Sequence, residues 1–136
     1  MKLLKTSIVV YLSILSFSSL GDVAVIVNPN NTSEISENDI SRIFLGKNKS
    51  YANGNSVEPV NTKYGNGVRK EFEDKLIGKN KSQMKAYWSK LIFTGKGKPP
   101  KELSSDDEII AFVAANPNAI GYISSEKVND SVKVVQ

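Results

Sequence analysis

The segment "NTKYGNGVRKEF", Asn61 to Phe72, brings Lys63, Gly65, Asn66, Gly67, Val68 and Arg69 into one short stretch. A strand-like run, "SVEPVN", leads into it, a Gly-Asn-Gly turn follows, and the residues after the turn have a helical spacing. The first backbone N–H groups of a helix have no intrahelical partner and sit at the positive end of its dipole, so an anion is favoured there. Glycines let the backbone approach a ligand with no Cβ in the way. Lys63 and Arg69 would add positive charge. The same pattern also serves as a plain, flexible strand-to-helix connection, and the local sequence leaves both readings open.

Other candidates are weaker. The dinucleotide pattern G-x-G-x-x-G would need glycine at position 70, which is Lys70, and neither glycine-lysine cluster fits a P-loop. "GKGK", Gly95 to Lys98, could cradle an anion, but Pro99-Pro100 beside it favours a solvated loop. Tyr87 and Trp88 could form a sugar-stacking platform, yet their spacing with Leu91 and Ile92 favours core burial. Asp106, Asp107 and Glu108 could attract a divalent cation, but acidic residues also belong in a first helical turn. The chain has no Cys and no His. A thiol nucleophile, a disulfide and a thiolate metal site are therefore excluded, and the commonest general base is missing. These absences favour a binding module over an enzyme, and no cofactor or metal is implied.

The elements that would position the turn follow from periodicity. "VAVIVN", Val23 to Asn28, is a continuous apolar run that reads as a buried strand. Ser36 and Asp39 form a capping-box pattern for a helix with Ile40, Ile43 and Phe44 on one face, closed by Gly46. Val57 to Asn61 is a second strand, with Pro59 marking it as short or near an edge. Val68, Phe72 and Leu76 give the next helix, ending at Gly78. Ser82 is placed as the cap of a third helix, whose face is Met84, Tyr87, Trp88, Leu91 and Ile92. Ser105 with Glu108 opens a fourth, carrying Ile109, Phe112 and Val113. Ala119 to Ser124 and Val132 to Val135 are further strands. The order β-α-β-α-α-α-β-β implies a mostly parallel sheet with helices packed on it. "GKNKS" occurs twice, at Gly46 and Gly78, and reads as two independent glycine helix ends rather than a duplication.

The chain has 136 residues. Lys2 and Lys5 precede an apolar, serine-softened stretch ending in "SLG", which reads as a secretory signal over 1–21 with cleavage before Asp22. That stretch is too short and too rich in serine for a comfortable membrane span, so no stable insertion is expected after cleavage. Residues 22–136 then form one domain in the periplasm. Without Lys2 and Lys5, 16 of the 18 basic residues face 14 acidic ones, a net of +2. Export and a near-balanced charge argue against a nucleic-acid partner.

Four stretches in this order resemble the periplasmic phosphate-binding proteins of ABC importers. They are "ISRIFLGKNKSYANG", "VEPVNTKYGNGVRKEF", "FTGKG" and "NAIGYIS". The match runs from about Val23 to Ser124 and is best with short, single-domain relatives of that family. The resemblance implies one lobe of a type II periplasmic binding protein, an α/β domain with a small, mostly parallel sheet flanked by helices. It implies capture of phosphate or a related oxyanion without chemistry, and delivery to an ABC permease. It places the ligand at Lys63, Gly65, Asn66, Gly67, Val68 and Arg69, with Gly121 and Tyr122 nearby at the end of a neighbouring strand.

The departures from the family pattern fall at the same turn. Full-length relatives carry Ser and Thr hydroxyls in the loop and an Arg shortly before it. Here those positions are Asn66, Val68 and Thr62, with Lys63 beside the last. One lobe alone leaves an oxyanion largely hydrated, so binding to a monomer is expected to be weak, and a homodimer closing two lobes over one ligand would remedy this. The alternative is an exported accessory or protein-interaction domain that kept the lobe and lost the ligand.

Overall fold

The computed structural model describes residues 23–136; the expected signal segment and Asp22 lie outside them. Five strands form one sheet in the order β3-β2-β4-β1-β5. They are β1 (Val23–Val27), β2 (Glu58–Thr62), β3 (Lys101–Leu103), β4 (Ala119–Ser124) and β5 (Lys133–Val134). β2 runs parallel to β3 and to β4, while β1 runs antiparallel to both β4 and β5. Four strands therefore point one way and β1 alone points the other.

The four helices are α1 (Glu37–Phe44), α2 (Val68–Phe72), α3 (Lys81–Phe93) and α4 (Asp106–Ala115). α2 continues into a π-helical turn, Glu73–Ile77, that ends at Gly78. The sheet is covered on both faces, and side-chain alternation along the strands explains how. Val23, Val25, Val27, Ile120 and Tyr122 pack in one cluster with α1 and α2, through Ile40, Phe44 and Phe72. Ile26, Val60, Ala119 and Ile123 pack in another with Ile109 and Val113 of α4. Coverage of both faces is why β1 reads as an unbroken apolar run. α3 lies in a third cluster, where Met84 and Trp88 meet Leu45.

Local signals held at several helix ends. Ser36 and Asp39 form a full capping box on α1. Gly46 and Gly78 take left-handed φ of 71° and 75°, just after helices, as two separate glycine ends should. Ser105 Oγ accepts from Glu108 N, but the Glu108 carboxylate reaches back to Ser104 N rather than to the cap residue.

Two expectations, the cap of α3 and the burial of Ile92, need correction. α3 is capped by Asn80 with Gln83, and Ser82 lies inside the helix. β2 is short and lies next to the edge, as Pro59 suggests, with β3 pairing outside it along Val60 to Thr62. That third strand is an addition to the sequence reading. Ile92 is exposed rather than packed on the face of Met84 and Trp88.

Gly121 sits in the middle of β4, and its place in the packing is steric. A Cβ there would lie 2.8 Å from Ile109 Cγ2 and 3.1 Å from Val60 Cγ2. The missing side chain is what lets α4 lie close on β2 and β4.

Candidate functional site

β2 ends at Thr62, and its direction delivers the glycine turn to the carboxyl end of the parallel strands, where α/β folds place ligands. Lys63 is exposed, and its N–H donates to Leu103 O at 3.0 Å, which holds the loop to β3. Gly65 has φ of 145° and Gly67 of 84°, values that side chains disfavour. The turn therefore needs its glycines whether or not it binds anything.

The backbone donor expected at Val68 is engaged. Asn66 Oδ1 accepts from Val68 N at 3.1 Å, an Asx turn in which the side chain takes the place an external acceptor would fill. The amide nitrogen of Asn66 is left as the outward donor of that side chain. Gly67 O accepts from Glu71 N at 3.0 Å, so α2 begins at once after the turn.

Arg69 does not face the turn's open side. It is 6% exposed, and its Nε lies 3.2 Å from Glu73 Oε2, while Nη1 lies 2.6 Å from Glu102 Oε1 and 3.3 Å from Thr62 O. Its guanidinium carbon stands 4.0 Å from the Tyr64 ring centroid, with Lys81 Nζ 4.6 Å from that ring. Tyr64 OH donates to Glu73 Oε1. Burial works against the charge on Arg69, but the hydrogen bond to Glu102 and the nearby Glu73 carboxylate outweigh it and hold its pKa above the usual value. Burial, reinforced by the hydrogen bond to Glu73, pushes the Tyr64 phenol up to about 12. Arg69 is thus a buried strut neutralised by two carboxylates, a correction to its expected place among the ligand donors.

Gly121 and Tyr122 are corrected in the same way. Both are buried in the middle of β4. The Tyr122 ring stacks on Phe72 at 3.8 Å and 7°, and its hydroxyl donates to Asn61 Oδ1 at 2.8 Å. Burial keeps this phenol protonated far into the alkaline range. Tyr122 supports α2 from beneath, while Gly121 faces α4 on the other side of the sheet.

What borders the turn lies farther along the same strand. A cleft of about 440 Å³ is lined by Asn66, Gly67 and Val68, by Glu71 of α2, and by Ser124, Ser125 and Glu126 at the end of β4. Two hydroxyls therefore stand across from a turn whose own hydroxyl positions are Asn66 and Val68. The sequence signal for them was present, since "AIGYIS" was read as a strand ending at Ser124. Which end of that strand meets the turn depends on the parallel pairing of β2 with β4. The cleft also holds two carboxylates, which disfavour a fully ionised anion and can accept a hydrogen bond from a protonated one.

The remaining candidates have structural places. Trp88 is buried, and half-buried Tyr87 donates its hydroxyl to Leu45 O at 2.6 Å. Asp106, Asp107 and Glu108 occupy the first turn of α4. Among the described residues, no helix is long and apolar enough to cross a membrane.

No family profile matches the chain, and no curated protein matches it. Solved structures do. An ABC-type phosphate transport receptor from Vibrio cholerae aligns with a TM-score of 0.67 and 22% identity, over 85% of this chain and 45% of that one. A phosphate ABC transporter substrate-binding protein with bound phosphate from Clostridium perfringens aligns at 0.66 and 25%, over 85% and 44%. PstS from Borrelia burgdorferi aligns at 0.63 and 16%, over 85% and 46%. The chain spans less than half the length of these receptors, and the shared fold is that of one lobe.

Proposed function

We propose that this chain is an exported solute-binding domain that captures phosphate or a related oxyanion at the Gly65-Asn66-Gly67 turn, without chemistry. The observation that carries the reading is the turn's position. It follows the carboxyl end of β2 and opens on a cleft that also contains Ser124 and Ser125. Asn66, Gly67, Lys63 and the two serines are the donors, with the Val68 N–H available once Asn66 Oδ1 releases it. Arg69 acts from beneath by fixing α2. Several phosphate receptors share the lobe fold, which raises the prior for this ligand class without identifying it.

Affinity in a lone lobe is expected to be low. A loss of about 1 kcal/mol accompanies the opening of the Asn66 to Val68 hydrogen bond, and one open face leaves the anion partly hydrated. A second lobe, from another copy or a partner, would raise it. Delivery to an ABC permease and a periplasmic location belong to the same proposal.

A second reading is favoured by a specific observation. Val68 N–H and Arg69 are satisfied by Asn66, Glu73 and Glu102, so the chain's own oxygens stand where an anion's would. On that reading the lobe is an accessory or interaction domain.

Calorimetric titration of residues 22–136 with phosphate, after exhaustive dialysis and with sulfate as control, separates the two. Saturable binding of phosphate in preference to sulfate supports capture. A flat trace at millimolar phosphate, about −4 kcal/mol or weaker, supports the accessory role.

A further inference from the structure

The glycine turn is not the most positively charged part of the molecule. Between Asp74 and Glu102 the chain carries eight lysines and no carboxylate side chain, while the rest of the protein, with 10 basic residues against 14 acidic ones, is net negative. Four lysines, Lys49, Lys96, Lys98 and Lys101, line a groove of about 560 Å³, against a single acid, Glu58. None of the four forms an ion pair with a described residue. The groove includes Glu58 and Pro59 at the amino end of β2 and Lys101 at the amino end of β3. It is therefore at the opposite end of the sheet from the glycine turn.

Apart from Asn48, its other side chains are apolar, Ile43, Leu45, Trp88 and Leu91 among them. Trp88 presents the edge of its six-membered ring between two glycines. A Cβ at Gly46 would stand 3.2 Å from Cη2, and one at Gly97 would stand 3.8 Å from Cζ3. Neither residue places a side chain over that edge.

We infer that this groove binds an acidic peptide segment of a partner protein, anchored by an apolar side chain against Leu91 and the Trp88 edge. The distribution of charge decides against a compact oxyanion. The lysines come from three separate segments, all are exposed, and no arginine or helix N-terminus converges on one point. Spaced, exposed cations around an apolar strip suit carboxylates spaced along an extended chain. Base stacking would need an open ring face, and Trp88 is 6% exposed. The inference does not rest on the oxyanion reading.

The test uses residues 22–136 and a fluorescein-labelled peptide of about 12 residues, rich in Glu and Asp around one central Leu, followed by anisotropy. Wild type is expected to bind it saturably and more weakly as salt rises. Lys96→Glu/Lys98→Glu should weaken binding about tenfold or more, while Lys85→Glu/Lys90→Glu, exposed on α3 outside the groove and equal in net charge, should change it less than about threefold. Asn66→Ala should leave it unchanged, which separates this site from the glycine turn. Absence of saturable binding, or equal loss in both charge-reversed variants, overturns the inference. So does preferential capture by phosphatidylglycerol vesicles that is abolished by Ile92→Ser/Phe93→Ser, the exposed apolar pair on α3.

Discussion

Arg69 Nη1 lies 2.6 Å from Glu102 Oε1, and this contact ties the start of α2 to the edge strand β3, 33 residues later in the chain. The pair is asymmetric, since the arginine is buried and the glutamate side chain is 47% exposed. Glu102 is therefore the partner that can be exchanged, either by substitution or by a competing anion.

Glu102→Gln should cost about 1 kcal/mol of stability, because Arg69 keeps Glu73 and Thr62 O. Glu73→Gln should cost about 3 kcal/mol, because it removes the buried carboxylate. Urea denaturation of both variants checks the order. Equal losses would mean that Glu102 and Glu73 hold the guanidinium alike, and a larger loss for Glu102→Gln that Glu102 is the stronger partner. If an oxyanion binds at this end of the sheet, Glu102→Gln should also bind phosphate more tightly than wild type, by about threefold or more.

Lys63→Ala and Asn66→Ala test the turn as a site. Each should weaken phosphate binding, with Lys63→Ala losing its effect at high salt as an exposed charge should. Asn66→Ala should in addition cost about 1 kcal/mol of stability through the lost Asx hydrogen bond. Unchanged phosphate affinity in both variants counts against the site.

Tyr64 gives a pH signature. Its folded pKa, about 12, is above the ordinary value of 10.0. The neutral phenol is the form the fold prefers, so this contribution to stability is fully present below pH 10 and is lost as pH rises from about 10 to 12. The difference between tyrosinate absorbance titrations of wild type and Tyr64→Phe should show a midpoint near 12. A midpoint at 10 would mean that neither the burial of Tyr64 nor its contact with Glu73 persists in solution.

Gly121→Ala should destabilise by about 1–3 kcal/mol, since the new methyl meets Ile109 and Val60 inside ordinary contact distance. Gly121→Ala should cost less in an Ile109→Ala background than in wild type if that contact is the cause. An unaffected melting temperature for Gly121→Ala alone would show that α4 can shift without cost.

Much of the scaffold was legible because its signals are local. Ser36 with Asp39, the glycines after α1 and α2, and the apolar run of β1 each act within a few residues. The Asn80 to Gln83 box is equally local, but Ser82 two residues later offers a competing cap type. β3 was not legible. Lys101-Glu102-Leu103 is too short to show alternation and is a strand only because β2 lies beside it. The reversed direction of β1 is a property of the sheet, and no residue in "VAVIV" encodes it. At the site, the glycines and Asn66 were visible in the sequence. The burial of Arg69 was not, because it needs Glu102 from a distant strand. Gly121 and Tyr122 had to be in the core once β4 was sandwiched between β1 and β2.

β1 pairs with β4 and β5 alone, in a register that joins Val23 to Ser124 and Ile26 to Val134. Ribosomes make the first strand early and its partners about 100 residues later. Until then the middle of the sheet is missing, and the faces that α1, α2 and α4 need do not exist. The three helices that pack on the sheet therefore depend on a closure whose loop spans nearly the whole domain, a contact pattern that slows folding. A chain built this way remains threadable for as long as its last strands are unmade, a property that would suit the export proposed above.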